Sequence, residues 1–307
     1  MSAEIEEKLS KIPILNWVVK LLKLIVLPGF NGLSLYDLLE IYTVGIVEGT
    51  FSSRASSIAY SFFIALFPFL LFMLNLIPKI PVANFQEKFL AFILKYLPPQ
   101  TKEFFFPVIQ DIALNPRESL LSFTFFLTIF LAANGVNSIF SAFEYSVHVK
   151  INRNFIKQYM VAILVSLFLA LLLLITVGVV VYGEYAISQL KGNHYISDDV
   201  FWINALQFTV SFTMIYTVIA TLYYFGIKEG RESRFFSLGA LVTTILFSVT
   251  TYLFGVYINN FSNYNELYGS IGALLIMMFY IWLNANLLLL GFELNISLKR
   301  LKEKCKT

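Results

Sequence analysis

RASSIAYSFFIALFPFLLFMLNLIPKIP, residues 54–81, decides how the rest of the chain is read. Behind its arginine lie 24 residues without a formal charge, Ala55 to Pro78. As a helix rising about 1.5 Å per residue this window is roughly 36 Å long, enough to cross a hydrocarbon core of about 30 Å. Its first turns are nevertheless rich in hydroxyls: Ser52, Ser53, Ser56, Ser57, Tyr60 and Ser61. Arg54, Ser57, Ser61, Ala65 and Pro68 recur at helical spacing on one face. A span that only anchors a protein has no need of that stripe.

Five more charge-free windows follow, at 119–143, 158–183, 200–227, 235–265 and 267–292. The fourth of these, at 31 residues, is longer than one crossing requires, and its NNFSNYN end reads as a polar cap, which places the span at 235–259. Only 13% of the 307 residues are charged and 58% are hydrophobic, whereas a soluble domain carries about 25% charged residues. The chain is therefore expected to be an all-α membrane protein with six transmembrane helices and flanking amphipathic interfacial helices. The spans fall at about 55–78, 119–143, 158–183, 200–227, 235–259 and 267–292 within a membrane domain at 54–298.

The flanks differ in kind. Within 1–53, Ile14 to Phe30 is apolar on one face, with Asn16, Lys20 and Lys23 on the other and Trp17 placed for a headgroup-level anchor. Ser34 to Thr50 reads as a second amphipathic helix, capped by Ser34 with Asp37 in the capping-box position. The loop at 79–118 reads as two short amphipathic helices broken by Pro98-Pro99 and Pro116, and 299–307 as a basic tail. Of 22 Lys and Arg residues, 16 lie on the side that holds both termini, which the positive-inside rule assigns to the cytoplasm. The acidic start lacks the pattern of a cleaved signal peptide, so the internal spans are expected to direct insertion. The one cysteine, Cys305, allows no disulfide within the chain.

Three stretches resemble a known family: SIAYSFFIALFPFLL after a basic residue, NGVNSIFSAFEYSV at the end of the second span, and YGSIGALLIMMFYIWLNANLLLLGFELN at the sixth. Together they are similar in order, spacing and span count, from about residue 35 to 300, to the YihY/BrkB family of bacterial inner-membrane proteins. Phe63 stands where leucine is usual, and Glu144 and Tyr145 where many members have a basic residue. The resemblance implies a multi-pass protein of the bacterial inner membrane. Members carry an old ribonuclease label or links to serum resistance and lipid export, and a transporter role is commonly proposed for them.

The residues themselves speak against nuclease chemistry. Metal-assisted phosphodiester cleavage needs clustered His, Asp or Glu, yet the two histidines, His148 and His194, fall in loops on opposite sides of the membrane. Asp198-Asp199 is a lone adjacent pair. The basic residues are spread over segments that topology explains, so no nucleic-acid partner is expected. No G-x-x-x-x-G-K-[ST] motif supports ATP-driven pumping by this chain. No enzyme activity, cofactor or metal is expected.

Polar rows on several spans are the main functional signal. In the second span Asn134, Asn137, Ser138 and Ser141 are spaced i, i+3, i+4 and i+7, and Glu144 continues the face. Asparagine is costly in hydrocarbon unless hydrogen-bonded, so this face is expected to point into the bundle. Thr209, Thr213, Tyr216, Thr217 and Tyr224 form a row on the fourth span, and Ser237, Thr244, Ser248 and Thr251 one on the fifth. The sixth has Tyr280 and Asn284 beside Asn286, Glu293 and Ser297, while the third is nearly all apolar and is expected to face lipid. The candidate cavity and gate comprise Arg54, Ser57, Tyr60, Ser61, Pro68, Asn134, Asn137, Ser141, Glu144, Thr213, Tyr216, Ser248, Tyr280, Asn284, Asn286 and Glu293. Pro68, near mid-membrane, is a candidate break that could expose carbonyls. Arg54 and Glu293 are placed to meet at the inner mouth, where an anionic headgroup could compete for the arginine. The function expected is transport of a lipid or other amphipathic substrate, with a non-transporting envelope scaffold as the alternative. Membrane lipids are the expected partners, and a homo-oligomer or an envelope partner stays open.

Overall fold

Among the described residues, the charge-free windows are almost wholly helical. The computed structural model describes residues 50–76, 121–145, 154–192, 199–227, 234–261 and 270–304, and the isolated positions 24, 36, 87, 91, 94, 106, 107 and 110. Six long helices follow in order: α1 Thr50–Leu76, α2 Leu121–Glu144, α3 Phe155–Gly192, α4 Asp199–Gly226, α5 Leu238–Phe261 and α6 Ser270–Lys304. Among the described residues, α2 to α6 are long and apolar enough to cross a membrane. α1 has 27 residues, about 40 Å of helix, with Arg54 and the serines at its start. The protein is an all-α membrane protein, and the isolated positions in the flanks are helical too. The amphipathic helices read from 1–49 and 79–118 otherwise lie outside the described residues.

Two helices outrun the expected spans. α3 continues past the window that closes at Gly183 and reaches Gly192, where Glu184 accepts a 2.7 Å hydrogen bond from Gln207 Nε2 of α4. Nothing in Glu184–Lys191 breaks a helix, and the first residue that can is glycine. α6 likewise runs on as helix to Lys304, so most of the basic tail is the end of the last span. Starts are set by caps. Asn154 Oδ1 accepts from the Ile156 N–H at 3.4 Å ahead of α3, and Ser237 Oγ from the Ala240 N–H at 3.3 Å ahead of α5. Ser237, read as part of a polar row, is thus a cap. Pro68 does not interrupt α1, which stays helical from 50 to 76.

Each helix packs against its neighbours in sequence, and α6 returns to α1, so the six close into a ring. α2 leans inward and also touches α4 and α6. The α1–α2 seam is antiparallel and intimate. Ser57 and Ser138 hydroxyls meet at 3.3 Å, Gly135 lies beside Ser61, and Thr128 donates to the Pro68 carbonyl at 2.7 Å. The main core sits toward one end of the ring, around Phe51, Ala55, Phe140, Phe143, Tyr223, Leu289, Phe292 and Ile296. These residues belong to the start of α1, the ends of α2, α4 and α6, and so to the end where the basic loops attach.

Candidate functional site

The basic end of the ring is closed by charge, aromatic rings and backbone contact. Arg54, 9% exposed, donates through Nη1 to the Ala142 carbonyl at 3.0 Å and stands 3.6 Å from Oε1 of Glu293, 5% exposed. Its guanidinium carbon lies 4.8 Å from the centre of the Phe51 ring, a cation–π arrangement. One side chain therefore ties α1 to both α2 and α6. Desolvating two such charges costs several kcal/mol per ion, and the pairing and the carbonyl bond offset that cost. Just inside, Phe143 and Phe292 stack at 4.0 Å, and Tyr223 meets both edge-on at 5.7 and 5.8 Å.

Tyr223, 2% exposed, anchors a second knot. Its hydroxyl lies 2.7 Å from the Leu288 carbonyl and 2.8 Å from Thr243 Oγ1, which is itself 2.8 Å from the Gly239 carbonyl. The two hydroxyl hydrogens can fill two of these three contacts at a time, and with Tyr223 donating to Leu288 and Thr243 donating to Tyr223, α4, α5 and α6 are joined by a short relay. Only glycine admits this geometry. A Cβ on Gly291 would overlap the Thr243 hydroxyl and stand 2.6 Å from the Tyr223 hydroxyl, and one on Gly239 would stand 2.7 Å from the Gly291 carbonyl.

Deeper in the ring the walls separate. A cavity of about 240 Å³ lies among α1 to α4, lined by Phe62, Ala65, Leu66, Phe69, Gly135, Leu169, Ala170, Leu173 and Met214. A second, of about 270 Å³, touches all six helices through Ile58, Ile139, Leu169, Leu222, Phe247 and Tyr280, with Asn284 beside Tyr280. Both are lined by Phe62, Val136, Leu169 and Val218, so they adjoin as two half-open lobes of one apolar chamber. Its polar wall is sparse. Tyr280 and Thr251 hydroxyls meet at 2.7 Å, and Asn284 Nδ2 donates to the Tyr280 carbonyl at 2.9 Å. Asn284 Oδ1 is buried without a hydrogen-bond partner, a situation that costs about 1–3 kcal/mol.

Most of the polar rows do not line this chamber. On α4 the Thr213, Thr217 and Thr221 hydroxyls donate to carbonyls one turn back, at 2.7–2.8 Å, and Thr213 is exposed. On α5, Thr244, Ser248 and Thr251 do the same at 2.7–2.9 Å, and on α6 Asn286 donates to Trp282 at 2.8 Å. Such side chains satisfy themselves inside their own helix and need no partner across the bundle. Tyr216 instead reaches the Ser237 carbonyl at 3.4 Å. Tyr60 is 63% exposed and Asn134 is exposed as well, so both point away from the interior expected for them. Pro68 turns its carbonyl to Thr128 and not to a cavity.

On the polar face of α2 Asn134 is exposed, whereas Asn137, Ser138, Ser141 and Glu144 are half-buried, with Ser138 bonded to α1 and Ser141 to α3 near the basic end. Ser53 and Ser57 of α1 and Ser138, Ser141 and Tyr145 of α2 line a groove of about 380 Å³ with Arg54 at its floor. Gln158 of α3 is buried against Ser141 at 3.1 Å. With its amide nitrogen toward α2 it donates to both oxygens of Glu144, at 3.0 and 3.1 Å, and accepts from Ser141. That orientation sets a donor against a carboxylate and is the electrostatically favoured one. Gln158, Tyr223, Thr243 and Gly239 were not among the residues singled out from sequence. Gln158 opens an almost wholly apolar window and could have been noticed as its one amide. Tyr223 and Thr243 carry no such signal, because their partners lie on other helices.

Fold and site together define a polytopic α-helical membrane protein whose helix ring is sealed at one end and hollow within. The family model of Virulence factor BrkB matches residues 45–306, and the chain belongs to that family. Over 254 residues it is 29% identical to the ribonuclease-like protein YfkH of Bacillus subtilis (strain 168), covering 82% of this chain and 91% of that protein. A UPF0761 membrane protein of Coxiella burnetii (strain Dugway 5J108-111) is 23% identical over 263 residues, 84% of this chain and 91% of that one. The UPF0761 membrane protein PsycPRwf_0630 of Psychrobacter sp. (strain PRwf-1) is 24% identical over 86% of this chain, which spans 48% of that relative. No solved structure matches.

Proposed function

We propose that this protein is a transporter-like protein that takes a lipid or another amphipathic molecule into its helix ring. In this reading it sits in a bacterial cytoplasmic membrane with the basic end and both termini on the cytoplasmic side. The observation that carries the reading is the two-lobed apolar chamber bounded by all six helices. Ligand pockets of about 300–1,000 Å³ with mostly apolar walls and a few polar groups are the usual form of small-molecule sites. Asn284, whose buried carbonyl oxygen lacks a donor, is the polar group that a bound molecule could complete after a small shift of α6. Closure at the Arg54 end makes this the state shut toward the cytoplasm. Without a nucleotide-binding motif, movement would depend on a gradient, a partner or downhill flow.

The test is reconstitution of the full chain into vesicles with labelled lipids. Flux above empty vesicles that falls when Ala170→Phe fills the chamber is the expected result. Flux equal to empty vesicles across lipid and solute classes would remove the transport reading. A second reading, a non-transporting envelope scaffold, is favoured by one observation: Thr213, Thr217 and Thr221 of α4 and Thr244 and Ser248 of α5 bond within their own helices, and only Thr251 also reaches across to Tyr280. Ribonuclease chemistry is not proposed. Among the described residues no three His, Cys, Asp or Glu side chains come together, and His148 and His194 lie outside them.

A further inference from the structure

The groove over Arg54 has a composition that the packing of α1 on α2 does not require. Its lining offers one guanidinium, the hydroxyls of Ser53, Ser57, Ser138 and Ser141, and the Tyr145 phenol, with no carboxylate among those residues. Among the described residues, two acids nearby approach from elsewhere. Glu293 reaches Arg54 from α6, inside the ring, and is itself buried. Glu144, one turn from Ser141 and outside the groove's lining, is held by Gln158 of α3. Ser53, Ser57 and Tyr145 are exposed, so the groove opens to the outside of the ring. From there Tyr60 and Asn134, both exposed, continue a polar line toward mid-membrane. Asn134 is seven residues above Ser141, about 10 Å along the helix. Beyond them the same faces turn to Ile64, Phe67, Phe126 and Phe130, all exposed.

We infer that this groove is a binding site for the phosphate-bearing headgroup of an anionic lipid, entering sideways from the leaflet at the basic end. Phosphate oxygens accept well from a guanidinium and from hydroxyls, and the apolar faces beyond the groove suit the acyl chains that such a headgroup carries. A surface that opens into the membrane selects the lipid over free phosphate as the source. Glu293 holds the guanidinium from behind while the ligand meets it from the front. The site deepens the transport reading by naming the headgroup. Binding and flux are measured separately, so each can fail alone.

The test uses the full chain in phosphatidylcholine vesicles, with spin-labelled phosphatidylglycerol and spin-labelled phosphatidylcholine as competing probes of the protein surface. Phosphatidylglycerol should associate about tenfold more strongly, the size of one charge-assisted hydrogen bond gained. Ser57→Phe, which fills the groove, should bring the ratio close to one without changing phosphatidylcholine association. Arg54→Gln with Glu293→Gln, which removes both charges and leaves neither unpaired, should do the same. If Ser57→Phe does not insert, Ser57→Ala with Ser138→Ala removes the hydroxyls alone and should lower the ratio. An anionic preference unchanged in these variants would assign it to the basic loops and overturn the site. So would inorganic phosphate binding without any phosphatidylglycerol preference, or a cross-linked dimer lost in Ser57→Phe while the lipid ratio stays put.

Discussion

At the basic end of the ring the six helices are bolted together; a few turns further in, the same helices stand apart. Around Arg54, Tyr223 and Gly291 the buried guanidinium and the tyrosine hydroxyl find partners on other helices, and backbones approach as closely as glycine permits. Around Phe62, Val136 and Val218 the walls meet across an empty apolar space. The difference lies in what drives contact. In a membrane, apolar faces gain nothing by leaving lipid for one another, so helices close where small residues and hydrogen bonds allow close approach. The basic end combines both at one level, whereas the chamber has small residues such as Ala65 and Ala170 but only the sparse Thr251–Tyr280 bond. Its large branched and aromatic side chains hold the backbones apart without filling the gap.

The contrast can be broken most severely at the ion pair. Glu293→Ala leaves Arg54 buried without its carboxylate and is expected to cost about 3–5 kcal/mol, read as a loss of thermal stability in detergent. Next comes a single methyl group. Gly291→Ala drives a Cβ into the Thr243 hydroxyl and should destabilise by about 1–3 kcal/mol, and Thr243→Ala in the same chain should recover part of it. Tyr223→Phe removes the relay at little change in volume, and a loss of about 1 kcal/mol is expected in the same melts. The chamber should behave in the opposite way. Ala170→Leu adds far more bulk than a methyl group, yet should be neutral or stabilise by about 0.5 kcal/mol, because it fills space. A large loss there would show that the chamber wall is as tightly packed as the sealed end. Smallest of all, Tyr60→Phe on the outer face should stay within about 0.5 kcal/mol of the parent.

How the site was legible follows from what each residue needs. Arg54 and Glu293 stood out as the charges nearest the apolar spans, and their meeting could be anticipated because a buried charge needs a counter-charge. The rows on α4 and α5 were legible as rows, but not as linings. A threonine at helical spacing has a carbonyl waiting four residues back in its own chain, and that bond forms whatever the helix faces. The asparagine face of α2 was placed inside on the ground that hydrocarbon would reject it. In the ring only Asn134 of this face is exposed, while Ser138 and Ser141 are half-buried and bonded to α1 and α3, so the face was half legible.

The sequence by itself determined that this is an all-helical membrane protein. Charge-free windows of bilayer length and the uneven placement of Lys and Arg are properties of the chain read in one dimension. The caps at Asn154 and Ser237 and the run of α3 on to Gly192 emerged only with the structure, which shows the capping bonds and the longer helix. Only the tertiary structure decided which face of each helix looks inward. Lipid and a protein interior are almost equally apolar, so hydrophobicity marks a helix as buried without saying in what. The facing is set by which glycine meets which hydroxyl across the ring, and by α6 returning to α1 at Arg54.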